Sequence, residues 1–289
     1  MTPGASPLHR EAEQAARQAY GRLLAYTARR THELAAAEDA LADAFVAALE
    51  TWPRRGVPAN PEAWLLTAAR NRLTDSQRHH QVRDEAQPVL EWLAEQAEID
   101  PTAPAPLPDE RLHMLFLCAH PAIDGQAHTP LMLQAVLGLD AARIASAFLV
   151  APATMSQRLV RAKRKISEAR IDFELPEGPL RAERLEAVLE AIYAAYGTGW
   201  EDPQGADARR AGLAEEALFL ARLLAELLPE EPEVLGLLAL ICHCEARREA
   251  RRDAEGRYVP LAEQDPQRWS RALIAEAQQA LDQAARQRS

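Results

Sequence analysis

Apolar residues at helical spacing are the feature that most restricts how this chain can fold. In segment 151–166, "APATMSQRLVRAKRKI", the residues Met155, Leu159, Ala162 and Ile166 lie on one side of an α-helix. Similar spacing recurs along most of the 289 residues, alanine and leucine dominate, and aromatic residues make up only 5%. This composition favours helices over sheets. The sequence therefore predicts an all-α fold of two or three small domains.

The N-terminal part of the chain contains two predicted helices. The first extends from about His9 to Arg30, and the second is "ELAAAEDALADAFVAALETW". The predicted buried side of the second helix comprises Leu34, Leu41, Phe45, Leu49 and Trp52. Its acidic flank comprises Glu38, Asp39 and Asp43. Asp39 and Asp43 share one face. The following segment "PRRGVPAN" is predicted to break the helical pattern with Pro53, Gly56 and Pro58.

A third helix is predicted to begin at Asn60-Pro61, because asparagine caps helices and proline fits the first helical position. Its polar residues include Arg70, Asn71, Thr74 and Arg78. Trp64 shares a face with Ala68 and Asn71, and we interpret it as a core residue rather than a stacking platform. The alternative, that Trp64 stacks on a base, is the less favoured of the two.

The middle of the chain contains a predicted linker over 84–108, because "DPTAPAPLP" is too rich in proline for a helix. Helical patterning resumes at Asp109. A further helix is predicted to open at Thr129-Pro130 and to end at Gly138.

Two short helices with a tight connection are predicted around 141–166. The first begins after Asp140 and runs through Phe148, and Pro152 begins the second. The second helix is basic on its exposed side. This arrangement is typical of a helix-turn-helix. A solvated basic face on an ordinary helix is the alternative interpretation.

Four amphipathic helices are predicted after Pro176, and they indicate a helical-hairpin domain of repeat-like character without a strict period. The formal net charge is −10, but residues 1–170 hold 19 lysines and arginines against 20 acidic residues. The excess of acid therefore falls mostly after residue 170. A local basic helix can bind phosphates when the acids lie elsewhere in the chain.

Other classes of function have little support in the sequence. Cys118, Cys242 and Cys244 are too few for a disulfide framework and lack the usual zinc-ligand spacing, so we predict no metal and no cofactor. Neither a glycine-rich phosphate loop nor a nucleophile motif is present, so no catalysis is predicted. No apolar run reaches the length of a membrane span, and the N-terminus lacks the order of a signal peptide. We expect a cytoplasmic protein.

Taken in order, these motifs resemble the bacterial extracytoplasmic-function sigma factors of the sigma-70 family, in the group with a helical C-terminal extension. "AEDALADAF" resembles the helix that binds the polymerase clamp, and "NPEAWLLTAARNRLTD" resembles the helix that reads the −10 promoter element. "RIASAFLVAPATMSQRLVRAKRKI" resembles the helix-turn-helix that reads the −35 element. "RLEAVLEAIYAAYGTGW" and "RWSRALIAEA" resemble the extension.

The resemblance implies a domain of sigma region 2 at 1–83, the linker at 84–108, a region 4 domain at 109–170 and an extension at 171–289. The implied −35 contacts are Thr154, Ser156, Gln157, Arg158, Arg161, Lys163, Arg164 and Lys165. The implied −10 contacts are Arg70, Asn71, Thr74 and Arg78. Glu38, Asp39 and Asp43 are implied to bind core RNA polymerase, whose β′ clamp and β flap are the expected partners together with promoter DNA.

Three further expectations accompany the resemblance. Helix-turn-helix turns commonly place glycine where Leu149 stands, and leucine at positive φ is unfavourable, so a different turn geometry is expected. The acidic extension is expected to dock near the basic helix, to bind a regulatory partner or to strengthen polymerase binding. Two rival functions stay open: a helix-turn-helix regulator that never engages polymerase, and a helical protein-binding scaffold or sensor.

Overall fold

The structure is a computed structural model that describes residues 7–79, 108–200, 208–253 and 255–287. All regular elements in these ranges are helices, which confirms the predicted all-α fold. The α-helices are α1 (Pro7–Thr31), α2 (Leu34–Arg55), α3 (Pro61–His79), α4 (Arg111–Cys118), α5 (Gly125–Leu137), α6 (Ala141–Ala147), α7 (Pro152–Glu168), α8 (Pro179–Trp200), α9 (Ala208–Leu227), α10 (Pro232–Ala246) and α11 (Arg271–Gln287). Short 3-10 turns cover Arg248–Arg251, Leu261–Glu263 and Pro266–Arg268.

The chain divides into two compact units that do not follow the order of the sequence. The first comprises Met1–Asp140 and Gln157–Gly178, and the second comprises Ala141–Ser156 and Pro179–Ser289. Helix α7 is continuous through the division, which falls between Ser156 and Gln157. The domain limits predicted from the sequence stay a prediction, and most of the predicted linker at 84–108 lies outside the described residues.

In the first unit, α1, α2 and α3 pack on one another, and α1 also packs on α4 and α5. Leu23, Leu41 and Trp52 are completely or almost completely buried in this core. Helix α1 approaches α5 so closely at Gly21 that a Cβ there would collide with the carbonyl oxygen of Val136. Glycine is therefore the residue that this helix contact requires.

Helix α2 is longer than predicted. It continues through Pro53 to Arg55 and is capped by Gly56, whose φ of 86° turns the chain and whose N–H donates to Trp52 O at 2.8 Å. The predicted break therefore falls at Gly56 and not at Pro53, because a proline near the C-terminal end removes one N–H donor while the last turn still closes. Phe45 and Leu49, predicted to be buried, are half-buried.

Helix α3 begins as predicted: Pro61 is its first residue, and the Ala63 N–H donates to Asn60 Oδ1 at 3.1 Å. Helix α5 also ends as predicted at Gly138, whose φ is 68°. Its predicted start at Pro130 was wrong. The helix begins five residues earlier at Gly125, where Asp124 Oδ1 accepts from the Gln126 N–H at 2.9 Å and supplies the cap.

The connection from α6 to α7 keeps the left-handed conformation that leucine disfavours. Leu149 has a φ of 54°, so the expectation of a different turn geometry was wrong. The Val150 N–H donates to Ala145 O at 3.0 Å and closes the end of α6. The Leu149 side chain is 64% exposed, so the penalty is confined to the backbone, at roughly 1–2 kcal/mol. Pro152 begins α7, as predicted.

In the second unit, helices that follow one another along the chain pack together: α8 with α9, α9 with α10, and α10 with α11. Four helices were predicted after Pro176, and the described residues in that part of the chain form four α-helices. The third of these, α10, ends at Ala246, and a 3-10 turn follows it. Helix α6 belongs to this unit and packs on α9, where Arg143 Nη2 lies 2.9 Å from Glu216 Oε1.

Candidate nucleic-acid interface

Helix α7 has a buried side and an exposed basic side. Met155, Leu159, Ala162 and Ile166 are all buried, as their spacing predicted. The exposed residues among the predicted −35 contacts are Thr154, Ser156, Gln157, Arg161, Arg164 and Lys165. Cations and small polar groups on the exposed side of one helix match what a helix in the major groove requires. Whether they contact DNA stays a prediction.

Arg158 is half-buried and is held by the N-terminal turn of α5. Its Nη2 donates to Gln126 Oε1 at 3.2 Å, and its Nη1 lies 3.4 Å from Gln126 O. That carbonyl is available because its usual helical partner four residues later is Pro130, which has no N–H. The proline inside α5 thus leaves an acceptor that the Arg158 guanidinium uses.

Lys163 does not lie on the exposed side. Its Nζ is 2.6 Å from Glu38 Oε2 on α2, and the side chains of Lys163 and Glu38 are only 17% and 14% exposed. Four residues later, Ser167 Oγ donates to Glu33 Oε1 at 2.7 Å. The sequence did contain a signal for this placement. Lys163 follows Leu159 by four residues and precedes Ile166 by three, so it borders the buried stripe.

Glu38 is a carboxylate in an unfavourable environment. Burial raises the pKa of Glu38, and nearby Asp39 raises it further, although the Lys163 ammonium acts in the opposite direction. Glu38 Oε2 accepts from Lys163, whereas no described hydrogen-bond donor reaches the buried Oε1. The ion pair therefore only partly offsets the loss of hydration.

The other two acidic residues of the predicted polymerase contact are exposed. Asp39 and Asp43 lie on the surface of α2. Arg72 Nε is 3.7 Å from Asp43 Oδ2, and both of these side chains are more than half exposed. An exposed pair at this distance is weak and leaves Asp43 accessible to a partner.

A pocket of about 510 Å³ lies between the loop after α2 and the start of α3. Its lining residues are Pro58, Ala59, Asn60, Trp64, Thr67, Ala68 and Asn71. Trp64 is half-buried and meets the fully buried Trp52 edge to face, with ring centroids 5.5 Å apart. The interpretation of Trp64 as a core residue was wrong. Trp64, Ala68 and Asn71 do share a face, but that face borders the pocket, and Leu65 and Ala69 fill the core instead.

The predicted −10 contacts differ in their positions relative to this pocket. Asn71 is exposed and lines it. Arg70 and Thr74 are half-buried, and Thr74 Oγ1 donates to Arg70 O at 2.9 Å within the helix. The Arg78 side chain lies outside the described residues. The loop before α3 supplies Pro58, Ala59 and Asn60 to the pocket.

Cys118 and Cys242 are buried and Cys244 is half-buried, and all three are free thiols. Burial, with Glu276 nearby, raises the pKa of Cys242 to about 12, so its thiol is protonated at neutral pH. Among the described residues, no three His, Cys, Asp or Glu side chains are grouped to hold a metal ion. No helix in the described part of the chain is both long and apolar enough to cross a membrane.

Two segments of this chain match known protein families. Residues 16–83, which include most of α1 and all of α2 and α3, match Sigma-70 region 2. Residues 184–285, which lie in the second unit, match a family of unknown function, DUF6596. The first match supports the relationship to sigma-70 factors for the helices that carry Glu38, Asp39, Asp43 and the pocket.

A relative in Rhizobium meliloti (strain 1021), described as an uncharacterized protein, is 41% identical over 276 residues. The alignment covers 94% of this chain and 64% of the relative, so the chain spans less than two thirds of that protein. No solved structure matches this chain.

Proposed function

We propose that this protein is an alternative sigma factor of the extracytoplasmic-function type, with a helical C-terminal extension. It acts in the cytoplasm, binds core RNA polymerase, directs the enzyme to promoters with particular −10 and −35 elements, and helps to melt the DNA. The match of residues 16–83 to Sigma-70 region 2 carries this proposal. The protein itself catalyses no reaction, because the polymerase supplies the chemistry.

The exposed side of α7 supports recognition of the −35 element. Thr154, Ser156, Gln157 and Arg161 are near enough to the N-terminal end of the helix to reach base edges, and Arg158 is already oriented by Gln126. Arg164 and Lys165 lie further along and meet phosphates, which fix the position of the helix without reading sequence. In this proposal α6 and α7 form a helix-turn-helix.

The pocket beside α3 supports capture of an unpaired base of the −10 element. Its volume falls in the range of roughly 300–1,000 Å³ that is typical of small-molecule pockets. Trp64 offers an aromatic surface for stacking, which contributes about 1–3 kcal/mol per base, and Asn60 and Asn71 offer hydrogen-bonding groups. A base held here cannot return to the duplex, so capture favours melting.

Core polymerase is the partner of the acidic surface of α2. Asp39 and Asp43 are exposed on one face and would meet arginines of the β′ clamp. The β flap is the second polymerase element that we expect to bind, through the region 4 domain.

In vitro transcription tests the whole proposal. Core polymerase with this protein, on fragmented genomic DNA of the source organism, is expected to initiate at discrete start sites that share −10 and −35 sequences. Absence of such initiation would contradict the proposal. A regulator that never engages polymerase would instead bind DNA without co-purifying with core enzyme, and a scaffold or sensor would do neither.

For the extension, we propose that it regulates the DNA-binding helices by docking at α6. The packing of α6 on α9 and the Arg143–Glu216 ion pair support this. A charge-reversed Glu216→Arg variant is expected to change promoter-dependent transcription, and the Arg143→Glu/Glu216→Arg double variant is expected to return it toward the wild-type level. Equal activity of all three proteins would contradict docking.

A further inference from the structure

One ion pair joins the proposed polymerase surface to the proposed DNA-binding helix. Glu38 belongs to the acidic flank of α2, and Lys163 belongs to α7, 125 residues further along the chain. Their atoms Oε2 and Nζ are 2.6 Å apart, and both side chains are largely buried. While this pair is formed, Glu38 cannot bind a partner and Lys163 cannot reach a phosphate.

The contact is part of a larger association within the first unit. Ser167 on α7 donates to Glu33 just before α2, at 2.7 Å. From α1, Arg29 donates to the buried Glu110 before α4 at 2.9 Å and to Glu174 beyond α7 at 2.9 Å. Charged and polar bonds thus connect segments that are far apart in the sequence. Such bonds fix one arrangement without contributing much net stability.

Glu38 is also incompletely paired in this arrangement. Its buried Oε1 meets no described hydrogen-bond donor. A lysine ammonium is a point charge and satisfies one carboxylate oxygen here, whereas an arginine guanidinium can bind both oxygens as a fork. A partner that offers an exposed guanidinium therefore has an advantage over Lys163 in binding Glu38.

We propose that the Glu38–Lys163 pair is a latch, which withholds one polymerase contact and one DNA contact in the free protein and opens when core polymerase takes Glu38. Opening releases Lys163 toward DNA in the same event. Core polymerase opens the latch only if it binds the open form more tightly than the closed form. The unpaired Oε1 of Glu38 provides this difference, because a polymerase guanidinium can bond to it only when the latch is open. The polymerase part of this inference rests on the proposed function.

The latch can be measured in the whole 289-residue chain by the distance between α2 and α7. Spin labels at Val46→Cys and Val160→Cys report it, since both valines are exposed and lie in the first unit. Cys244 is replaced by serine, while Cys118 and Cys242 are buried and protected from labelling. The wild-type charges are expected to give one short, narrow distance distribution.

Charge reversal provides the decisive comparison. Glu38→Lys places two ammonium groups opposite each other, and the ratio of long to short distances is expected to rise more than about tenfold. The swapped Glu38→Lys/Lys163→Glu protein is expected to recover the short distance. Glu50→Lys makes the same charge change at an exposed position of α2 and is expected to leave the distance unchanged. A short distance in Glu38→Lys, or equal opening by Glu50→Lys, overturns the latch.

If circular dichroism shows that Glu38→Lys does not fold, the same comparison can be made on α7 with Lys163→Gln and its control Lys165→Gln. Only Lys163→Gln is expected to lengthen the distance between α2 and α7. Adding core polymerase to the labelled wild-type protein is expected to produce the long distance. Polymerase that binds while the short distance persists overturns the gating. If polymerase does not bind at all, the proposed function fails and the gating with it, while the charge-reversal comparison still decides whether the pair holds α2 to α7.

Discussion

Both units of this protein are helical and bury an apolar core, but the ion pairs that join their helices differ in how deeply they are buried. In the second unit, successive helices pack through apolar residues such as Leu220 and Leu224, which are completely buried. In the first unit, segments distant in sequence meet through Glu38–Lys163 and Arg29–Glu110, and through the close approach at Gly21. Apolar burial provides stability, whereas buried ion pairs specify an arrangement and can be exchanged for other partners.

This difference agrees with the latch proposed for the first unit. A polymerase- and DNA-binding unit has to change its contacts when its partners arrive, and charged contacts can be replaced one for one. The ion pairs between helices of the second unit, Arg143–Glu216 and Arg222–Glu276, are more exposed than Glu38–Lys163. The following predictions test the contrast, from the largest expected effect to the smallest.

The apolar core of the second unit is expected to be the most sensitive. Leu224→Ala should lower the free energy of unfolding by about 2–5 kcal/mol, because it removes buried methyl groups and leaves a cavity. Urea denaturation followed by circular dichroism measures the change. Leu240→Ala, at a residue that is 46% exposed on α10, serves as the control and should have a small effect. Equal effects of the two variants would show that Leu224 does not support the unit as described.

The glycine contact of the first unit gives an effect of intermediate size. Gly21→Ala forces a Cβ against Val136 O and should destabilise the α1–α5 contact by roughly 1–3 kcal/mol. Gly236→Ala on α10 of the second unit has open space around its Cβ and should stabilise that helix by about 0.5–1 kcal/mol. Thermal unfolding should therefore move in opposite directions in the two variants. Stabilisation by Gly21→Ala would contradict the close approach.

The exposed cations of α7 should affect binding rather than stability. Arg161→Ala should reduce discrimination between the correct −35 sequence and a mutated one by about 1–3 kcal/mol, if Arg161 reads a base edge. Lys165→Ala should instead weaken binding to both sequences and reduce the dependence on salt. Fluorescence anisotropy at several salt concentrations, with the polymerase holoenzyme, separates the two. Identical behaviour of the variants would show that the face has been assigned wrongly.

The smallest expected effect comes from an ion pair in the second unit. Arg222 on α9 bonds to Glu276 on α11, with Nε–Oε1 at 2.6 Å and Nη2–Oε2 at 2.7 Å, and both side chains are about a third exposed or more. Glu276→Gln should cost only about 0.2–1 kcal/mol at pH 7.

The pH dependence of this pair has a definite sign. The hydrogen bonds from Arg222 hold the pKa of Glu276 below the ordinary value for a glutamate side chain. Its contribution to stability is therefore present above that value and is lost as the pH falls through the lowered pKa. The difference in melting temperature between wild type and Glu276→Gln should shrink at acidic pH. A difference that grows on acidification would contradict this role.

Local features of the fold were predictable from the sequence because they depend on neighbouring residues. The buried stripe of α7, the Asn60 cap and the end of α5 at Gly138 were all predicted and confirmed. The start of α5 was predicted wrongly at Pro130, because a proline inside a helix is tolerated when another donor replaces its missing N–H. Here Arg158 donates to Gln126 O, the carbonyl that Pro130 leaves without a helical partner. The turn geometry at Leu149 was predicted wrongly for a different reason. The Leu149 side chain is exposed, so its positive φ costs only backbone strain, and the hydrogen-bonded turn compensates for that strain.

The candidate site was less predictable, because its partners are far apart in the sequence. The face of Trp64 was identified correctly, but whether that face meets the core or a pocket depends on how the preceding loop folds. Lys163 was predicted to contact phosphate, and only the packed structure shows that Glu38, 125 residues away, is its neighbour. Charge patterns in a sequence identify residues that form polar contacts, but they do not identify the partners in those contacts.

The membership of α6 in the second unit has a consequence for how such a chain can be divided or inherited. Ala141–Ser156 is encoded inside the sequence of the first unit, yet it packs with helices encoded after Pro179. A single cut in the gene therefore cannot separate the two units into intact pieces. A lineage that lost the extension would have to change the surface of α6 as well, and a protein engineer who grafts the extension onto another chain would have to transfer α6 with it.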